Sequence, residues 1–120
     1  MQQRSRNRNI NNEAYGGFIV SKNILAGKPV GYSFREKSAI PQLNGWNFYS
    51  VEDDEAYISN SDHFVILSAE SVYQISPVIL EIFDAPYGTD LYWMYEQGVH
   101  VGFYDLAADR PTTIEEIVQK

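Results

Sequence analysis

The chain has 120 residues, 44% of them hydrophobic and 14% aromatic, and no cysteine. That is enough for one domain with its own core, and it excludes disulfides, thiolate chemistry and cysteine-ligated zinc. The formal charge of -7 is unevenly spread: Arg4, Arg6 and Arg8 stand against Glu13 in residues 1–14, while residues 15–120 hold six basic and fifteen acidic groups, or -9. A field of that sign repels nucleic-acid phosphate and anionic membrane and draws in basic proteins.

Residues 1–14 are polar, Asn-rich and without apolar periodicity, and they are expected to be a disordered basic arm. The arm resembles the basic start of a signal peptide, but Asn11, Asn12, Glu13, Gly16 and Gly17 interrupt any apolar segment behind it. No stretch approaches the roughly 20 apolar residues of a membrane helix, so residence in the cytoplasm is the expectation. Residues 15–120 read as a single domain.

Phe18-Ile19-Val20 is the first strand, closed by Asn23 and the Gly27-Lys28-Pro29 turn. In the second, Val30, Tyr32 and Phe34 alternate with Gly31, Ser33 and Arg35, the period-two pattern of a half-buried strand. A polar loop from Lys37 to Gly45 leads to a third strand at Trp46-Asn47-Phe48-Tyr49, with Trp46 and Phe48 on one face. Ser50-Val51-Glu52-Asp53 approximates a capping box and predicts a short helix ending near Asn60.

Phe64-Val65-Ile66-Leu67 is a fourth strand, and Ser76-Pro77 predicts a helix start, with Ile79, Leu80 and Phe83 on its buried side. Pro86-Tyr87-Gly88 suits a type I turn. Leu91–Tyr95 and Val99–Tyr104 form a hairpin around Gln97-Gly98, and Thr113-Ile114-Glu115-Glu116 caps a last helical turn or two. Short strands with a few short helices, without regular strand-helix alternation, give an α+β class on a largely antiparallel sheet.

The chemistry is sparse. Nucleophilic catalysis wants a nucleophile beside a base, and the chain offers no Gly-x-Ser-x-Gly and two imidazoles, His63 and His100. His63 reads as a hydrogen-bonding surface residue, and His100 points away from its neighbours Val99 and Val101. The run Glu52-Asp53-Asp54-Glu55 lacks the alternating ligands and mid-loop glycine of a calcium loop. Around Gly27-Lys28, Lys22 and Pro29 break a phosphate-loop pattern. No catalytic residue, metal ligand or cofactor site is therefore assigned.

The acidic run has two readings. Carboxylates in the first turn of a helix are stabilised by its positive end by about 0.3 to 1 kcal/mol each; four adjacent like charges exceed what capping needs, which points to a docking site for cations. The nine tyrosines and two tryptophans belong mostly to sheet packing, and some of them suit the desolvated anchors of an interface.

The order of landmarks is Gly17-Phe18-Ile19-Val20-Ser21-Lys22, Gly27-Lys28-Pro29-Val30-Gly31-Tyr32, Gly45-Trp46 with the run from Glu52 to Glu55, and Ala85-Pro86-Tyr87-Gly88-Thr89. Together they resemble the bacterial immunity-protein family of the Imm thirty-three type, over roughly Gly17 to Trp93. The motifs are specific in combination. The resemblance implies a small cytoplasmic protein that neutralises a cognate polymorphic toxin by binding it, and it brings no catalytic residues. The arm and the stretch after Gln97 lie outside the pattern.

The leading expectation is thus a non-enzymatic protein that captures a basic toxin through Glu52, Asp53, Asp54 and Glu55, with Trp93 or nearby tyrosines as anchors. The alternative is a housekeeping domain holding a small molecule or peptide in an aromatic pocket between sheet and helix. An enzyme would need His63 or His100 within reach of a carboxylate in a cleft. Exposed strand edges leave a homodimer open.

Overall fold

The computed structural model describes residues 15–119, so the arm expected over residues 1–14 lies outside the described residues. Seven strands form one sheet: β1 (Gly17–Ser21), β2 (Val30–Arg35), β3 (Leu43–Ser50), β4 (Phe64–Leu67), β5 (Asp90–Glu96), β6 (Val99–Asp105) and β7 (Arg110–Thr112). Their order is β4-β1-β3-β2-β5-β6-β7. The β1–β3 pair is parallel and the other five pairs are antiparallel. Helices α1 (Lys22–Leu25), α2 (Glu55–Ile58), α3 (Ala69–Ile75), α4 (Val78–Glu81) and α5 (Ile114–Gln119) are short, and none is long and apolar enough to cross a membrane. This is the α+β class that the sequence predicts.

The core lies on one face of the sheet. Phe18 and Val20 of β1, Trp46 and Phe48 of β3, Leu91 and Trp93 of β5 and Phe103 of β6 are buried there against Ile24, Val72, Ile79, Ile82 and Ile117. Trp46 stacks on Phe48 at 5.6 Å, and Trp93 meets Phe48 and Phe103 edge-on at 6.4 and 5.1 Å. Each such side chain contributes about 1.5 to 3 kcal/mol by leaving water, and each favourable ring contact about 0.5 to 1.5 more.

In β2 the alternation is real, but the covered side is the opposite of what hydrophobicity suggests. Ser33 is fully buried, while Tyr32 and Phe34 are half-buried on the other face. The indoles are the reason: Trp46 and Trp93 fill the space between sheet and helices, so their β2 neighbours there must be small. Ser33 Oγ accepts a 2.9 Å hydrogen bond from Trp93 Nε1, which satisfies a buried donor that would otherwise be costly. An irregularity between Val30 and Tyr32 lets Val30 join the core as well.

Other differences are local. The third strand begins at Leu43, within the expected loop, because Glu36 N donates to the Gly45 carbonyl and prolongs the β2–β3 pairing. The helix expected to start at Ser50 starts at Glu55 instead. Ser50 Oγ accepts from Glu52 N and donates to Asp53, making a tight turn, and Asp54 is the residue whose side chain caps the helix at Tyr57 N. Helix α3 was not foreseen; Ser68 caps it by accepting from Ser71 N. Helix α4 has no side-chain cap and is shorter than the stretch to Phe83.

The turn from Pro86 to Thr89 carries Gly88 at φ 97° in its third position, which fits type II, since type I keeps that angle negative. The hairpin turn is as expected: Gln97 and Gly98 have φ of 51° and 82°, the paired left-handed angles of a type I′ turn. Thr113 Oγ1 accepts from Glu116 N at the start of α5, as the capping box predicts.

Candidate functional site

The four acids expected to meet a partner lie together on the connection leaving β3, but each has a different environment. Glu52 pairs with Lys28 at 3.3 Å, both side chains being about half exposed; such a pair contributes little to stability. Asp53 accepts from Ser50 N, Ser50 Oγ and Asn23 Nδ2 at 2.8, 2.9 and 2.8 Å. Partial burial opposes its charge, and the hydrogen bonds from Asn23, Ser21 and Ser50 outweigh that and hold its carboxyl below the ordinary range. Asp54 is the cap of α2, and Glu55 is exposed in that helix's first turn. Local structure thus accounts for Asp53 and Asp54 and engages Glu52. The capping reading of the run explains more of it than an excess of charge does.

Trp93 corrects an expectation. It is 1% exposed, surrounded by Phe48, Phe103 and His100, and its indole donor is taken by Ser33. A side chain in that position stabilises the fold and has no surface to offer a partner. The period-two pattern of β5 placed it: Leu91 and Trp93 point into the core, and Asp90 and Tyr92 to the other side.

That other side is the larger feature. The face of the sheet away from the core helices carries Ile19, Phe64 and Ile66 at one end, Tyr49, Tyr32 and Phe34 in the centre, and Tyr92 and Tyr104 further on, as the pairings Ile19↔Ile66, Tyr32↔Tyr49, Tyr32↔Tyr92 and Tyr92↔Tyr104 require. Tyr32, Phe34 and Tyr49 form a ring triangle with separations of 5.4, 5.7 and 5.5 Å, and Phe64 continues it at 5.4 Å from Tyr49. Tyr92 is 50% and Ile66 64% exposed. The segment of α2 and the following turn leans over one end, where Ile58, Ser59 and Ser61 wall a groove of about 390 Å³ floored by Ile19, Asn47, Tyr49 and Ile66.

Carboxylates are set among these rings. Asp90 lies across from Phe34, and its Oδ1 is buried without a hydrogen-bond partner. Burial first, then the hydrogen bond and charge of Asp90, raise the Tyr32 phenol well above its ordinary value; Tyr49 and Glu36 add smaller effects. Tyr49 is raised by burial and by the charges of Glu36 and Asp53, which brings the acidic run up to the edge of this face. Tyr104 donates to Asp109 at 2.6 Å. All these phenols stay protonated near neutral pH, and those of Tyr32 and Tyr104 donate to Asp90 and Asp109. The sequence gives the tyrosines collectively; it does not separate these from core residues, because Tyr32 and Phe34 look like the buried side of β2.

The imidazoles are occupied differently. His63 holds the Tyr57 carbonyl through Nδ1 at 2.7 Å and stacks on Tyr57 at 4.0 Å. His100 lies against Trp93, Tyr95 and Phe103, with Nε2 buried and unpartnered. Neither is paired with a carboxylate among the described residues. Among those residues no group of three or more His, Asp or Glu is placed to hold a metal ion.

Burial lowers the His100 pKa below 6.5, partly offset by a hydrogen bond to the Gly102 backbone. The unfolded chain therefore takes up a proton before the folded one does. Stability from this residue is complete above about 6.5 and is lost as pH falls from there toward the folded value. Urea midpoints measured between pH 7.5 and 5 should drop, and His100→Phe should flatten the dependence. Asp53, whose carboxyl is lowered from 3.8, acts in a separate window below that pH. An unchanged slope in the variant would remove His100 as the cause.

The described landmarks converge in space. Arg35, next along β2, donates to the carbonyls of Asn44, Phe83 and Ala85 at 2.9, 2.8 and 2.9 Å, and its guanidinium lies 5.9, 5.0 and 4.8 Å from the rings of Trp46, Phe83 and Tyr87. Gly45-Trp46 and Ala85-Pro86-Tyr87 are thereby tied at one end of the sheet, far apart in sequence and adjacent in the fold. No curated protein and no solved structure matched the chain. The family description "Immunity protein Imm33 domain" matches residues 18–102, which carries the resemblance past Gln97, through the hairpin turn and into β6. Spanning well over half of the 120 residues, that match shows that the chain belongs to the Imm33 family of immunity proteins.

Proposed function

We propose that the chain is a non-enzymatic immunity protein that binds a cognate, basic bacterial toxin in the cytoplasm and neutralises it by occlusion. The observation that carries this reading is family membership over residues 18–102. The charge of residues 15–120, six basic against fifteen acidic groups, supports a basic partner and opposes nucleic acid or an anionic membrane as the target. Exposed Glu52 and Glu55 on the connection after β3 accelerate the encounter, since charges at a rim act mainly on association rate.

The test is co-expression with the toxin domain encoded beside this gene, followed by stopped-flow association with a catalytically disabled form of that domain. Protection of growth and a complex are expected, with association slowed several-fold at low salt by Glu52→Gln with Glu55→Gln. Asp53 and Asp54 are left intact, because their removal would disturb the turn and the cap. Failure of every neighbouring toxin to bind refutes the reading; an unaltered rate at low salt refutes steering by these acids.

A second reading, a domain for a small molecule or peptide, draws on the groove of about 390 Å³ beside Tyr49. The expected pocket between sheet and helices is instead a layer filled by Trp46, Trp93 and Phe103. A thermal shift with a metabolite, and none with the toxin domain, would favour this reading.

A further inference from the structure

We propose that the open face of the sheet is the surface that grips the toxin, and that Asp90 receives a lysine or arginine side chain of that toxin between the rings of Tyr32, Phe34 and Tyr92. The proposal rests on the immunity reading and specifies where and how the partner is held.

Three observations converge on it. First, α3, α4 and α5 cover only the core side, through Val72, Ile79 and Ile117, which leaves a continuous aromatic surface from Phe64 to Tyr92 on the other. Tyrosines lose few torsions on binding and combine a broad apolar surface with a polar tip, the properties of residues that dominate interface energetics. Second, Asp90 Oδ1 is buried among these rings without a partner. A carboxylate oxygen removed from water and left unsatisfied is costly, and a cation that reaches it recovers a charge-assisted hydrogen bond.

Third, among the described residues no cation is seated on Asp90 Oδ1. Lys28 is paired with Glu52, and Arg35 is held by three carbonyls. The excess of acidic over basic groups makes a basic partner the complementary one. Rings flanking a carboxylate suit a guanidinium or ammonium group further, because such cations are attracted to aromatic faces.

The experiment measures equilibrium binding of the full chain to the catalytically disabled toxin domain from the adjacent gene, alongside thermal unfolding and sedimentation. Asp90→Asn and Tyr92→Ser are each expected to weaken binding at least tenfold, with unfolding midpoints close to wild type. Glu70→Gln, exposed on α3 at the covered side of the sheet, should leave the equilibrium affinity within about twofold. If wild type binds and the face variants bind equally well, the docking surface is elsewhere and the proposal falls while the immunity reading stands. If wild type binds no neighbouring toxin, the reading fails and takes the proposal with it. A wild-type dimer that Tyr92→Arg converts to monomer would assign the face to a second copy of the chain and overturn the proposal. Should Asp90→Asn lower the unfolding midpoint, Tyr92→Ser, half exposed in the wild type, decides alone.

Discussion

Gly45→Ala is expected to abolish stable folding or to cost about 3 to 5 kcal/mol, a large part of the roughly 5 to 15 kcal/mol that holds an ordinary domain together. Two effects add. Gly45 has φ 92°, where a residue with a Cβ loses about 1 to 2 kcal/mol. The new Cβ would also fall against the Glu36 carbonyl oxygen, with the Tyr87 ring 3.2 Å away. The first of these is backbone that cannot swing aside, because Glu36 N already donates to the Gly45 carbonyl at 3.0 Å and closes the β2–β3 pairing. Gly88→Ala is the control. Its φ of 97° is as unfavourable, but nothing lies within 4 Å of the added atom, so the loss should be only about 1 to 2 kcal/mol. Chemical denaturation of the pair separates the angular cost from the steric one; equal losses would show that crowding at Glu36 contributes nothing.

The contrast shows what could be read from the residues. Gly45 ahead of Trp46 reads as the end of a loop, since glycine punctuates chains more often than it sits in strands. Its function as an irregularity inside β3 depends on the parallel β1 neighbour, whose register slips between Gly17 and Ile19, and on the approach of Glu36 across β2. Neither contact is local. The strands themselves were legible because alternation and short apolar runs are local signals, and the Gln97-Gly98 turn was legible because two left-handed residues are required there.

The site was less so. Ser50, Asp53 and Asp54 carry the right chemistry for caps and turns, and the sequence shows this; which oxygen meets which amide is a matter of a residue's shift along the chain. The inverted β2 is a deeper failure. Tyr32 and Phe34 are more apolar than Ser33, and an argument from hydrophobicity alone must bury them. The outcome depends on volume instead: two indoles already occupy the core layer, and only Ser33 both fits between them and accepts the Trp93 donor. The aromatic face is exposed as a consequence of how the tryptophans pack.

Arg35→Met is expected to cost about 2 to 4 kcal/mol, and Arg35→Lys to recover less than half of that. Hydrogen bonds from a charged donor are worth about 1.5 to 3 kcal/mol each, but partial exposure and solvation of the freed carbonyls reduce the sum. The guanidinium reaches Asn44 through Nε and both Phe83 and Ala85 through one terminal nitrogen, a spread that a lysine ammonium cannot reproduce from a single point. Phe83's carbonyl also accepts from Trp46 Nε1 at 3.0 Å, so the loss should reach the indole: tryptophan fluorescence near the native baseline should change in Arg35→Met before unfolding begins. Arg35 fastens the segment after α4 to the end of β2 and β3 without any carboxylate, so its contribution is to hydrogen bonding and ring stacking. Its loss should consequently vary little between low and moderate salt, whereas an ion pair would be screened. A strong salt dependence of the Arg35→Met deficit would mean that its partners are acidic groups and not the carbonyls of Asn44, Phe83 and Ala85.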